Sequence, residues 1–221
     1  TTYFVGEDNV YPSITLNAPI DTYNTTNTYI NFNWTATDNY DTNLTCNLTI
    51  GGIVNVSNIP SLNGTATNQT VSGFNDGNYQ WNVSCWDDAN NLNTSETRSY
   101  TVDTTNPSLT VDSPVEGQNY SSTNISLNYS TSDSGIGIDT CWYTNVTGQN
   151  VTLTNCLNAT FIAQEGSNTI TVYANDTLNN LNSSSITFYV DTTETAITLN
   201  YPDNGFNTTL TSINFNWTAT D

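Results

Sequence analysis

The chemistry open to this chain is set by twenty acidic residues, four cysteines, one basic residue and no histidine in 221 positions. The one basic residue is Arg98, so lysine is also missing. Without His there is no Ser-His or Cys-His pair. Without Lys there is no Schiff base and no Ser-Lys base. Paired carboxylates remain, but no arrangement of them points to a catalytic role, and the chain reads as non-enzymatic. Hard cations favour clusters of carboxylates and carbonyls. Asp38, Asp87, Asp88, Asp103 and Asp112 are the calcium candidates, expected to gather where successive segments of the chain meet, and Asp133, Asp176 and Asp191 form a second possible set. No EF-hand spacing is present, and Asp is also common in turns for backbone reasons alone. Cys46, Cys85, Cys141 and Cys156 fall into two separated pairs, which suits disulfides and an oxidising compartment. Zinc is excluded by the lack of both CxxC and His.

These residues are carried on strands. Ile30 to Asp38 reads INFNWTATD, and the same nine residues return at Ile213 to Asp221. Ile30, Phe32, Trp34 and Ala36 alternate with polar residues, the mark of a strand with one buried face. Cys46, Leu48 and Ile50 share one face of the next strand. Tyr79, Trp81, Val83 and Cys85 share one face of a later one. No stretch has a 3.6-residue apolar period, so helix should be nearly absent.

The strands repeat as a set. Leu109-Thr110-Val111 and Pro114 match Ile14-Thr15-Leu16 and Pro19, and Asn179-Asn180-Leu181-Asn182 matches Asn90-Asn91-Leu92-Asn93. The expected divisions are a closing strand of a preceding repeat at 1–10, one repeat at 11–105, a second at 106–193, and the first strands of a third at 194–221. About seven short strands per repeat indicate an all-β chain of tandem β-sandwiches.

Val102 to Pro107, Ser108 to Pro114, Asn33 to Asp38, Asp76-Gly77 and Trp81 to Asp87 together resemble the immunoglobulin-like tandem repeats of prokaryotic, in particular archaeal, cell-surface proteins. The resemblance covers nearly the whole chain. It implies the sandwich fold and surface display, with no enzymatic activity and no named ligand. In that frame Cys46 and Cys85 face inward from neighbouring strands and should bond to each other. Ala174 replaces the second cysteine in the next repeat, where Cys141 is expected to pair with Cys156 instead.

Nineteen Asn-x-Ser/Thr acceptors are present, so the chain is expected to be a glycoprotein if it passes a glycosylation machinery. Asn33, Asn47, Asn82, Asn128 and Asn216 are the candidates, on the outward side of their strands. Trp86 and Trp142 also fall on outward positions and could stack on a sugar. A net charge of −19 argues against nucleic acid and against an anionic membrane surface, and no apolar run is long enough to insert into a bilayer. The expected partners are neighbouring repeats of the same polypeptide, surface glycans or other surface proteins. The leading expectation is an extracellular stalk, adhesin or surface-layer-type spacer. Accessory modules of a larger surface-anchored enzyme, or a carbohydrate-binding module, are the alternatives.

Overall fold

A computed structural model describes residues 8–221. The expected closing strand at 1–10 falls largely outside them. Strands β1 (Ser13–Ala18), β2 (Tyr23–Thr25), β3 (Tyr29–Thr37), β4 (Asn43–Ile50), β5 (Ile53–Leu62), β6 (Ala66–Ser72), β7 (Gly77–Trp86), β8 (Leu92–Thr94) and β9 (Arg98–Val102) come first. They form a three-stranded sheet β1-β3-β6 and a larger sheet β2-β9-β7-β4-β5, with β8 on β7. β2 pairs parallel with β9, whereas the other pairs in these two sheets are antiparallel. Two sheets with this strand order are an immunoglobulin-like sandwich.

The alternation seen in the sequence decides which side chains go inside. Phe32, Trp34 and Ala36 of β3 are fully buried against Cys46 and Leu48 of β4, Val83 and Cys85 of β7, and Tyr100 and Val102 of β9. Phe32 meets the rings of Trp81 and Tyr100 edge-on at 4.9 and 5.8 Å. The indole of Trp34 donates to Ser61 Oγ at 3.2 Å, so its one polar atom is satisfied inside the core. Burial pushes the Tyr100 hydroxyl well above the usual phenol range.

β10 (Ser108–Ser113), β11 (Asn119–Tyr120), β12 (Asn124–Ser132), β13 (Ile138–Thr144), β14 (Asn150–Leu153), β15 (Ala159–Ile162), β16 (Gly166–Asp176) and β17 (Leu181–Val190) repeat the scheme as sheets β10-β12-β15 and β11-β17-β16-β13-β14. β11 pairs parallel with β17, as β2 does with β9. A single 3₁₀ turn, Thr154–Cys156, is the only helical element among the described residues. Finally, β18 (Ala196–Tyr201) and β19 (Asn216–Thr220) pair in the register of β1 and β3: Leu199 lies opposite Trp217 as Leu16 lies opposite Trp34.

Pro60 lies within β5, an edge strand of its sheet, where proline is tolerated.

By internal packing the chain divides into two compact units. One runs to Leu109 and takes in Thr131–Cys141 and Tyr173–Asn182. The other comprises Thr110–Ser130, Trp142–Val172 and Ser183–Asp221. Both aspartate clusters described next belong to the first.

Candidate metal centre

Asp103 follows β9, Asp133 follows β12, and Asp176 ends β16. One carboxylate oxygen from each lies within 4.8 Å of those of the other two. Asp103 and Asp176 are fully buried, and Asp133 is half-buried. Backbone amides hold each one, and a side-chain amide adds to them at Asp176. Asp103 accepts from the amides of Thr105 (3.2 Å) and Ile136 (3.0 Å). Asp133 Oδ2 accepts from the amides of Gly135 (3.0 Å) and Gly137 (2.9 Å), so the loop folds around that oxygen. Asp176 Oδ1 accepts from the amides of Leu178 and Asn180, and its Oδ2 accepts from the Asn180 side chain at 2.7 Å. The same Asn180 amide group donates to the Asp103 carbonyl at 3.1 Å, and Asn182 donates to the Pro107 carbonyl at 2.8 Å.

A second cluster draws its third carboxylate from Asp41 and not from the corner residue Asp87. Asp8, Asp38 and Asp41 each place a carboxylate oxygen within 4.8 Å of the others. Asn91 donates to Asp87 Oδ2 at 2.6 Å and to the Asp8 carbonyl at 3.0 Å, and Asn93 donates to the Pro12 carbonyl at 2.7 Å. Asp87-x-x-Asn90-Asn91-Leu92-Asn93 and Asp176-x-x-Asn179-Asn180-Leu181-Asn182 are thus the same corner twice. Asn90 and Asn179 both take φ 66°, a left-handed conformation that asparagine tolerates.

The electrostatics are one-sided. Like charges about 4 Å apart at an effective dielectric near 20 repel by about 4 kcal/mol. The chain's one basic side chain, Arg98, is engaged by Glu96 at 2.7 Å and by the Pro19 carbonyl at 3.3 Å. Backbone N–H groups and the Asn180 side-chain amide therefore supply the compensation that the protein itself offers. They do not reach every oxygen. Asp133 Oδ1, Asp8 Oδ2 and Asp38 Oδ2 are buried atoms that accept no hydrogen bond.

The sequence candidates distribute unevenly. Asp103 and Asp38 enter separate clusters, Asp87 supports the corner beside the second, and Asp88 and Asp112 are exposed and belong to neither. Asp8 and Asp41 were not among the candidates. Asp8 could have been found by aligning Glu7-Asp8 with Val102-Asp103, whereas Asp41 has no repeated counterpart that marks it.

Cys46 and Cys85 are directly opposed on β4 and β7 and form a disulfide with Cα atoms 4.0 Å apart. Cys141 and Cys156 are disulfide-bonded as well, and no cysteine is free. Disulfides of this kind are typical of extracellular domains. Asn128 and Asn216 are exposed. Asn33, Asn47 and Asn82 point outward but are half-buried and hydrogen-bonded: Asn33 to Asn17 and Asn68, Asn47 to the Asn58 amide, and Asn82 to Thr97. Trp86 and Trp142 are half-buried, not open platforms. No helix among the described residues is long and apolar enough to cross a membrane.

No family model and no curated protein matches the chain. Solved structures do. The fibronectin(III)-like modules of Clostridium thermocellum CbhA share 15% identity over 80% of this chain and 94% of that one, with a TM-score of 0.43. Immunoglobulin domains 1–4 of Sidekick-1 share 9% over 81% of this chain, at TM-score 0.48. This chain spans 48% of their length. The FN1–FN3 domains of chicken CNTN1 share 12% over 79% of this chain and 66% of that one, at 0.37. The strand order described above places the chain in the same class, an all-β protein of immunoglobulin-like sandwiches.

Proposed function

We propose that this chain is a non-enzymatic segment of an extracellular, glycosylated surface protein in which immunoglobulin-like repeats serve as spacers. The observation that carries the proposal is the recurrence of one design: sheet order, the parallel strand pairs β2–β9 and β11–β17, and the Asp-x-x-Asn-Asn-Leu-Asn corner each occur twice. A chain built by repeating one module gains length with each copy, and its stability is mostly a sum over modules and their neighbours. The resemblance noted in the sequence supports surface display, and the two disulfides suit an oxidising setting.

Small-angle X-ray scattering tests the spacer. Elongated particles are expected, and a compact globule of the same mass would overturn the reading. Glycosylation has its own test in protein isolated from its native source. Mass spectrometry should find glycan at the exposed Asn128 and Asn216 more often than at Asn33, whose amide nitrogen is committed to Asn68.

A further inference from the structure

We infer that Asp103, Asp133 and Asp176 bind a calcium-like divalent cation, and that Asp8, Asp38 and Asp41 form a second site of the same kind. The geometry supplies three carboxylate oxygens within 4.8 Å of one another in each group. In the first group two of the carboxylates are fully buried, which removes the water that would otherwise screen them. The independent sign of a ligand is the set of orphaned oxygens. Among the described side chains, three buried carboxylate oxygens lack any hydrogen-bond partner, and all three lie in these two clusters: Asp133 Oδ1, Asp8 Oδ2 and Asp38 Oδ2. A buried carboxylate oxygen that no donor of the protein satisfies is a position that a cation can occupy. No protein cation can serve, because Arg98 is engaged elsewhere.

The donor chemistry selects the ion. All the available ligands are oxygens, which suits calcium and not the thiolate or imidazole metals. Calcium takes six to eight oxygens in flexible geometry, so three carboxylates leave places for water and backbone carbonyls. The surrounding N–H bonds from Ile136, Gly135, Gly137, Leu178 and Asn180 hold the carboxylates in place before the ion arrives. A bound ion would add a tie between residue 103 and the loops at 133–137 and 176–180, which the Ile136 amide and the Asn180 side chain already link to it.

This inference goes beyond the spacer reading and is judged by cation binding alone, so either can fail without the other. The test titrates calcium chloride into the EDTA-stripped full chain by calorimetry, with melting temperature followed in parallel. Two saturable sites are expected, with dissociation constants in the roughly 0.1–1 mM range of extracellular calcium modules. Asp133→Asn and Asp38→Asn should each remove one site, while Asp88→Asn and Asp112→Asn keep both. Near-UV circular dichroism confirms that each variant is folded before titration. Wild-type protein that shows no saturable heat up to about 10 mM calcium would overturn the inference. So would a folded Asp133→Asn that keeps full stoichiometry, or sodium chloride at matched ionic strength that raises the melting temperature as much as calcium does.

Discussion

Asn180 donates its side-chain amide to the backbone carbonyl of Asp103 at 3.1 Å, and so joins the corner after β16 to the exit of β9. The same amide group also donates to Asp176 Oδ2, so one side chain positions two of the three clustered aspartates. Asn180→Ala should therefore cost about 2–3 kcal/mol, because it leaves a buried carboxylate short of a donor. Urea unfolding measures the loss. The exposed Asn179, next in sequence, holds a left-handed turn, and Asn179→Gly should be close to neutral there.

Gly135 packs so closely on Asp103 that a methyl group in its place would overlap the carboxylate. Gly135→Ala must push aside either Asp103 or the 133–137 loop. The expected destabilisation is about 1–3 kcal/mol, read by thermal or urea unfolding, and calcium binding at that cluster should weaken with it.

The Cys46–Cys85 bond closes a span of 39 residues. On the chain-entropy account its loss costs about 4 kcal/mol. The Cys46→Ser/Cys85→Ser double variant should lose that much in guanidinium unfolding under oxidising conditions. Under full reduction the difference from the parent should shrink sharply, since both then lack the bond.

Asp76 accepts from the Thr105 hydroxyl and from the amide and hydroxyl of Thr104. The Thr105 hydroxyl is the main reason its carboxyl is held below the usual carboxylate range. A lowered folded-state value stabilises the fold above the unfolded value near 3.9, and the contribution disappears as pH falls through the folded value. Asp76 is exposed, so the contribution is under about 1 kcal/mol. The stability gap between the parent and Asp76→Asn should be constant from pH 7 to 5 and close below pH 4, as followed by urea midpoints across pH.

Trp34 and Trp217 occupy the same position of the same nine-residue motif, yet Trp34 is 0% exposed and Trp217 is 60% exposed. Trp34→Ala should cost about 3–5 kcal/mol, whereas Trp217→Ala should stay within about 0.5 kcal/mol. Equal losses in chemical unfolding would mean that Trp217 is packed in solution.

That pair also shows where sequence stops and tertiary structure begins. Alternation in INFNWTATD determines the strand and which side chains share a face, because backbone pleat alone sets a period of two. It also places Leu16 across from Trp34 and Leu199 across from Trp217, since identical neighbours pair in identical register. Whether that face is buried depends on a second sheet. β3 is covered by β4, β7 and β9, and burial is a property of the surface that packs on a face, not of the face itself. The cysteines were legible for a similar reason: Cys46 and Cys85 share inward positions on strands that pair directly. The aspartates were legible only in part. Their recurrence is written in the sequence, but Asp103, Asp133 and Asp176 come from three separate segments. Folding alone brings their oxygens within 4.8 Å, separates Asp103 from Asp112, and sets Asp38 beside Asp8 and Asp41. The carboxylate chemistry is local, whereas its concentration into a site depends on long-range strand pairing that no spacing along the chain reports.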